Sequence, residues 1–342
     1  MITLSDLEKY DSSGMHKVYD QWPEIARESY ESDYDGISFD GVDHIVFVGV
    51  GGSGAIGDLF SSILSKSNIH VTLVKGYLLP KTIDKNTLVI IISVSGNSAE
   101  PLIVLESAMK LDCSLLAFSS GGKMEEFCKK NQINFRKIRY VHSPRASLVK
   151  YIYAMLKILS SILPITHNEI IESIKELENI RNKISSHNLS ETNYSLELAT
   201  WISEIPLIYY PHGLQSAAIR FKSSLQENAK SHAMIEDVIE ACHNGIVAWE
   251  RTSPVQPILI RGTDDYVKTK ERWEIIKKYF TENNIDFKEV NTINGNILSK
   301  IIVLFYLLDY SSIFKAVMNK IDPTPVKSID YVKNHLKNNL YY

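Results

Sequence analysis

Two short stretches hold the residue types that chemistry needs. Residues 93–100 read SVSGNSAE, three serines, a glycine and an asparagine directly after the apolar run TLVIII. Residues 49–54 read GVGGSG, directly after HIVFV. In both places a strand pattern gives way to hydroxyls and glycines where a helical pattern begins. A helix N-terminus carries about half a positive charge and unpaired N–H donors. Backbone amides and hydroxyls gathered there form a cradle for an anion such as phosphate, with Ser93, Ser95 and Ser98 as hydroxyl donors. A plainer reading makes Ser98 an N-cap with Glu100 in the first turn, and the other serines turn formers. The density of hydroxyls favours the anion site.

The same glycines invite a second reading. Gly49, Gly51 and Gly54 satisfy G-x-G-x-x-G, the dinucleotide pattern. That pattern calls for an acidic residue about twenty positions on, at the end of the next strand. Residues 71–76 read VTLVKG instead, with Lys75 in that place. Lys75 suits only a 2′-phosphorylated cofactor, so the dinucleotide reading is the weaker one.

These loops must be held by a sheet. Strands are predicted at His44–Val50, His70–Lys75, Thr87–Ser95, Ser114–Ser120 and Asn134–Tyr140. Helices are predicted at Gly51–Leu64, Ser98–Leu111, from Ser120 to Lys130, and at Ala146–Leu163. Short apolar strands alternating with helices argue for a parallel sheet covered on both faces. Residues 167–190 are charged and helix-periodic, and form the predicted connection between two halves. The alternation restarts with Pro206–Tyr210, Gln215–Lys230, Gln256–Arg261, Thr269–Phe280 and Phe287–Val290. A long apolar helix, Ile297–Met318, and a last helix after Pro323 follow. IVFVGVGGSGAI at 45–56 and LIYYPHGLQSAAI at 207–219 share one plan of strand, glycine turn and small residues, which suggests two similar α/β domains in tandem. The expected division is 1–165, a connection at 166–189, and 190–342.

Bulk properties exclude several classes. Of the 342 residues, 44% are hydrophobic and 23% charged, an ordinary globular mix. A net charge of -3 gives no electrostatic case for nucleic acid or an anionic membrane. The longest apolar runs, Leu88–Ile92 and Ile301–Leu308, fall short of the ~20 residues of a membrane helix. The acidic start MITLSDLEKYDSS is not a signal peptide. Three cysteines, Cys113, Cys128 and Cys242, without CxxC spacing, point to reduced thiols and a cytoplasmic protein. The ten histidines form no HxxxH or HExxH.

Six segments then fall in one order: GVGGSGAIGDLF, SVSGNSAEP, SPRASL, LQENAKSHA, HNGIVAWE and DPTPVKSID with a lysine after it. Together they resemble the bifunctional phosphoglucose/phosphomannose isomerases, a branch of the sugar isomerase (SIS) domain proteins. The resemblance covers nearly the whole chain after its first forty residues. SGNS alone would mark only a sugar-phosphate-binding SIS domain, whereas ENAK with a histidine sixteen residues later, plus SPR, is specific to the branch. The fold implied is two tandem SIS domains, each a mostly parallel sheet flanked by helices in a flavodoxin-like αβα sandwich, with a C-terminal helix. The resemblance implies that Gly52, Ser53, Ser93, Ser95 and Ser98 hold the phosphate of a hexose 6-phosphate. It implies that Glu227 shuttles a proton between C1 and C2, and that Arg145 sits beside the cis-enediolate. His243 would open the sugar ring, with help from Lys333, although Lys327 and Lys337 lie near it in the tail. A homodimer is implied, and a site that borrows His243 from the neighbouring subunit would account for one.

Elementary chemistry agrees with these roles. Moving a carbonyl between C1 and C2 requires removal of a weakly acidic C–H proton, work for a positioned carboxylate shielded from water. The enediolate needs a fixed positive charge, and arginine never deprotonates. Ring opening moves a proton between O1 and O5, which suits imidazole near neutral pH. No cofactor and no metal is required. Taken singly, each residue has a bland role: Glu227 a solvated helix glutamate, or with Lys230 an i, i+3 pair, and His243 a surface histidine. Their joint order favours the site. The alternative of another class is a non-catalytic SIS module that senses a sugar phosphate. Such regulators often carry a basic helix-turn-helix, whereas residues 1–43 are acidic with only a marginal helical stretch. Glutamine-dependent glucosamine phosphate synthesis would call for a cysteine nucleophile near the start, and the first cysteine is Cys113.

Overall fold

The computed structural model describes residues 2–336. Three helices open the chain: α1 (Leu4–Tyr10), α2 (Met15–Asp20) and α3 (Trp22–Glu31). The first sheet is built from β1 (His44–Val48), β2 (His70–Val74), β3 (Thr87–Ser93), β4 (Ser114–Ser119) and β5 (Asn134–Lys137). Its helices are α4 (Gly52–Leu64), α5 (Ala99–Ala108), α6 (Gly122–Lys130) and α7 (Leu148–Ile158). Then come α8 (His167–Ile184) and α9 (Tyr194–Trp201). The second sheet contains β6 (Ile205–Tyr210), β7 (Met234–Asp237), β8 (Val255–Arg261) and β9 (Lys288–Asn291). Its helices are α10 (Gln215–Glu227), α11 (Val238–Ala241), α12 (Val267–Glu282), α13 (Ile297–Met318) and α14 (Lys327–His335), with a 3-10 helix at Gly245–Glu250.

Both sheets are wholly parallel, as their apolar strands require. The first runs β2-β1-β3-β4-β5 and the second β7-β6-β8-β9. These are one topology used twice, the flavodoxin-like order, with the switch point between β1 and β3 in the first sheet. Ligands in such folds sit outside the carboxyl ends of the strands at that switch point. The two anion-cradle loops follow β1 and β3.

Side chains on each strand alternate between two cores. Val46, Val48, Val89 and Ile91 face α5 and α6. Ile45, Phe47, Leu88 and Ile90 face a larger core that also takes Ile208 and Ile258 from the second sheet. One continuous apolar interior thus joins the two halves. At its centre lies α13, 22 residues long and by composition apolar enough to cross a membrane, yet buried along nearly its whole length within the chain. It packs against α8, α9 and α10.

The helix at 167–184 is more than a charged connection. Ile170, Ile174, Leu177 and Ile184 form a buried stripe, and α8 packs on α13 and α3. The first forty residues also depart from expectation. Leu7, Met15, Tyr19 and Trp22 are fully buried, and Trp22 stacks between Tyr19 and Tyr306 of α13.

A buried ion pair ties these elements together beneath the carboxyl edge. Arg220 of α10 donates to Asp309 of α13 at 2.7 Å, both almost without exposure. Asp309 also accepts from Tyr19 Oη of α2 at 2.9 Å and from Ser224 Oγ. A buried pair is tolerable only when its remaining lone pairs are satisfied, and these are.

Candidate active site

The anion cradle is set by backbone constraints. Gly51 has φ 57°, and a Cβ on Gly54 would lie 2.9 Å from the Gly49 carbonyl oxygen. Only glycines let β1 turn this tightly into α4. Gly96 has φ 70°, and a Cβ there would lie 1.8 Å from the Gly121 carbonyl oxygen. Ser53 Oγ accepts the Val94 N–H at 3.2 Å, joining the two loops and leaving its own proton for a ligand. Ser93 Oγ is buried without a hydrogen-bond partner. A buried hydroxyl in that state is costly unless a ligand receives its proton. Ser95 is half-buried and accepts the Asn97 N–H at 3.3 Å. Ser98 occupies the N-cap position of α5, but its hydroxyl makes no capping bond. The plain capping role is therefore not the one it fills. Lys75 Nζ donates to both Asp58 carboxylate oxygens at 2.6 Å, a fixed ion pair with α4. That commitment removes the single feature that favoured a 2′-phosphorylated dinucleotide.

A carboxylate–guanidinium pair stands beside the cradle. Arg145 lies in the SPR loop between β5 and α7, 5% exposed. A Cβ on Gly52 would lie 3.6 Å from Arg145 Cα, so the SPR loop rests against the start of α4. Arg145 Nη1 is 3.4 Å from Glu227 Oε2. Its Nε donates to Asn228 Oδ1 at 2.7 Å, and its Nη2 to the carbonyls of Pro323 and Thr324. Burial lowers the arginine pKa and the Glu227 carboxylate opposes that shift. The guanidinium stays charged, since arginine keeps its proton in proteins.

Glu227 is the last residue of α10, and the chain after it turns sharply. Lys230 adopts a left-handed φ of 55°, and its Nζ donates to the carbonyls of Glu227, Pro323 and Pro325. It bonds the Glu227 backbone and not the carboxylate, so ENAK is not a simple i, i+3 ion pair. Lys230 instead fastens the 323–325 segment under the site. Burial, with the charge of Arg145, lowers its pKa.

Residues 191–336 match the family of bacterial phospho-glucose isomerase C-terminal SIS domains. A bifunctional phosphoglucose/phosphomannose isomerase of Caldicellulosiruptor bescii is 30% identical over 328 residues, 92% of this chain and 96% of that protein. The chain belongs to the bifunctional phosphoglucose/phosphomannose isomerase family. The relative of the same name from Aquifex aeolicus is 29% identical over 93% of this chain and 94% of its own length. In three dimensions the chain is similar to a hypothetical protein of Thermus thermophilus, with a TM-score of 0.73, 13% identity, and coverage of 99% of this chain and 93% of that one. That likeness shows the fold.

Within this member of the phosphoglucose/phosphomannose isomerase family, the anticipated site residues divide into two groups. Gly52, Ser53, Ser93, Ser95 and Ser98 line the carboxyl edge of the first sheet, and Arg145 and Glu227 meet next to it. His243 is exposed on the turn after α11, where its N–H donates to the Glu240 carbonyl at 2.9 Å. Lys333 and Lys327 are exposed on α14, and Lys337 lies outside the described residues. Among the described residues no hydrogen bond or ion pair joins His243 or Lys333 to Glu227 or Arg145. Sequence reasoning passed over Asn228, the Pro323–Thr324 carbonyls and the Gly121–Gly122 turn. The signal for the turn was SSGG after a strand, the same grammar as the other two loops.

Proposed function

We propose that the protein interconverts hexose 6-phosphates, glucose 6-phosphate or mannose 6-phosphate with fructose 6-phosphate, by aldose–ketose isomerisation. The observation that carries this is the Glu227 carboxylate facing the Arg145 guanidinium, beside a hydroxyl-rich anion cradle. The cradle takes the 6-phosphate on Ser53, Ser93, Ser95, Ser98 and the Gly52 N–H. Glu227 takes the proton from C2 of the aldose. The C–H electron pair becomes the C1=C2 bond, and the carbonyl oxygen at C1 gains negative charge opposite Arg145. A proton passes from the C2 hydroxyl to O1, the electrons left on O2 form the C2 carbonyl, and the same carboxylate returns its proton to C1, giving the ketose. Return to the other face of C2 yields the epimeric aldose from one intermediate. No redox equivalents enter or leave.

His243 and Lys333 serve ring opening in this reading, and the partner subunit of a homodimer brings His243 to the site. Two observations support the dimer. His243 is solvent-exposed, and α14 has no buried residue although Ile329, Val332 and Leu336 lie on one face, 38%, 57% and 42% exposed. An apolar stripe of this kind suits a helix covered by another molecule. Residues 1–165 and 190–342 form the two SIS units, with 166–189 between them. The three free thiols fit a cytoplasmic setting.

The test is a coupled assay with fructose 6-phosphate in the presence of EDTA, reading glucose 6-phosphate and mannose 6-phosphate separately. Both products are expected. Glucose 6-phosphate alone would narrow the activity to one aldose, and binding without turnover would turn the reading to a sensor.

A further inference from the structure

Arg145 is held on its fixed sides by acceptors that carry no charge. Nε meets the Asn228 amide oxygen, and Nη2 meets two backbone carbonyls. Among the described residues the one carboxylate in contact with it is Glu227, at the long distance of 3.4 Å. Behind it, Arg220 Nη2 donates to the Arg145 carbonyl at 2.9 Å, while the Arg220 charge is matched by Asp309. Among the described residues Lys230 Nζ donates only to carbonyls.

The orientation of Asn228 follows from its neighbours. Ser312 Oγ donates to the Asp309 carbonyl at 2.6 Å, so toward Asn228 it acts as acceptor. Asn228 Nδ2 therefore donates to Ser312, at 2.8 Å, and Oδ1 must face the other way. A guanidinium can only donate, so Oδ1 is the atom Arg145 needs. Asn228 is fully buried, fixed at both ends, and immediately follows Glu227. An aspartate would match its shape and would bind Nε more strongly. It would also place a full negative charge 2.7 Å from the guanidinium.

We propose that Asn228 is a positioning residue that fixes Arg145 through a neutral acceptor, so that the whole guanidinium charge remains for the oxyanion formed at C1 and C2. The inference rests on the isomerase reading and goes beyond it by assigning a reason for amide rather than carboxylate at this position. It treats the site as electrostatically pre-organised, where charge cancellation costs more than it would in water.

The experiment compares two ligands on the full chain by titration calorimetry. Arabinonate 5-phosphate carries a planar carboxylate where the enediolate charge develops, and arabinitol 5-phosphate carries a neutral alcohol there. The parent should prefer the carboxylate, and Asn228→Asp should lose on the order of 10-fold of that preference while holding the alditol as before. Asn228→Ala removes the acceptor without adding charge, so its kcat should fall about 10-fold with KM little changed. It also keeps the idea open to refutation if the aspartate variant does not fold. An unchanged preference in Asn228→Asp, a parent with no preference, or an alanine variant with parental kcat would overturn the assignment. A parent that binds neither compound would fail the isomerase reading itself, which is a different result.

Discussion

At the scale of single residues, the site is a division of labour between charges that must not cancel. In the proposed reaction Glu227 has to be ionised to take a carbon-bound proton, and Arg145 has to stay positive to receive the resulting oxyanion. Their 3.4 Å separation lets each sense the other without the tight bidentate pairing that would silence both. Glu227→Gln keeps the shape and the hydrogen bonding but abolishes the base. We expect kcat to fall by a factor of about 10³ or more while the sugar-phosphate dissociation constant moves less than about threefold, read by calorimetry beside the coupled assay. Retention of full activity would exclude Glu227 as the base. Much of this group was legible in the sequence because serines and glycines after apolar strands have few other uses in such density. Asn228 was not, since an asparagine inside ENAK looks like any helix-terminal residue. Its meaning comes from Arg145, 83 positions away, and Ser312, 84 positions away.

At the scale of elements, regular alternation of apolar strands and helices made the two sheets readable to within a few residues. Strand β7 and helix α11 escaped because each is only four residues long, and α9 because its eight residues span barely two turns. The opening helices showed in the sequence only as a marginal helical stretch: α1 and α2 are seven and six residues long, too short to show helical periodicity. What fastens them is a buried carboxylate. Asp11 closes α1, and its side chain accepts from Met15 N–H at 2.9 Å, His16 N–H at 2.7 Å and His16 Nδ1 at 2.6 Å. Burial pushes the Asp11 pKa up, but the hydrogen bonds from His16 and Met15 outweigh it and hold the carboxyl below its usual value of 3.8. A carboxyl depressed in the folded state stabilises above its unfolded pKa, and that contribution is lost as pH falls through the folded one. Asp11→Asn should therefore cost about 1–2 kcal/mol at pH 7, and the gap to the parent should close as pH drops below about 4. Urea unfolding at pH 7 and at pH 3 checks this. A gap of the same size at both would mean that the charge of Asp11 is not what matters.

At the scale of the whole molecule, one apolar interior serves both sheets, so the chain behaves as a single scaffold with its chemistry along one edge. Two anticipated residues make no hydrogen bond or ion pair with Glu227 or Arg145 among the described residues. His243 is exposed on the turn after α11, and Lys333 is exposed on α14. The spacing along a sequence says nothing about which copy of it supplies a side chain, so a histidine borrowed from the neighbouring subunit was legible there only through the family resemblance. A two-fold dimer, in which each surface patch meets its own twin, would deliver both histidines at once. The prediction is quantitative. Neither Glu227→Gln nor His243→Ala should be active alone. If each site takes Glu227 from one chain and His243 from the other, a mixed dimer has one site with both defects and one site with none. Unfolding and refolding an equal mixture should form mixed dimers in about half of all pairs, and so restore about a quarter of parental activity. Sites complete within a single chain would give no restoration, because every site would keep its own defect. The same mixture separates the role of α14. Replacing Val332 with aspartate on its exposed apolar face should reduce recovery and dimer content together, measured by light scattering, if that face is covered by the partner. Loss of activity with an intact dimer would instead assign α14 to the site through Lys333.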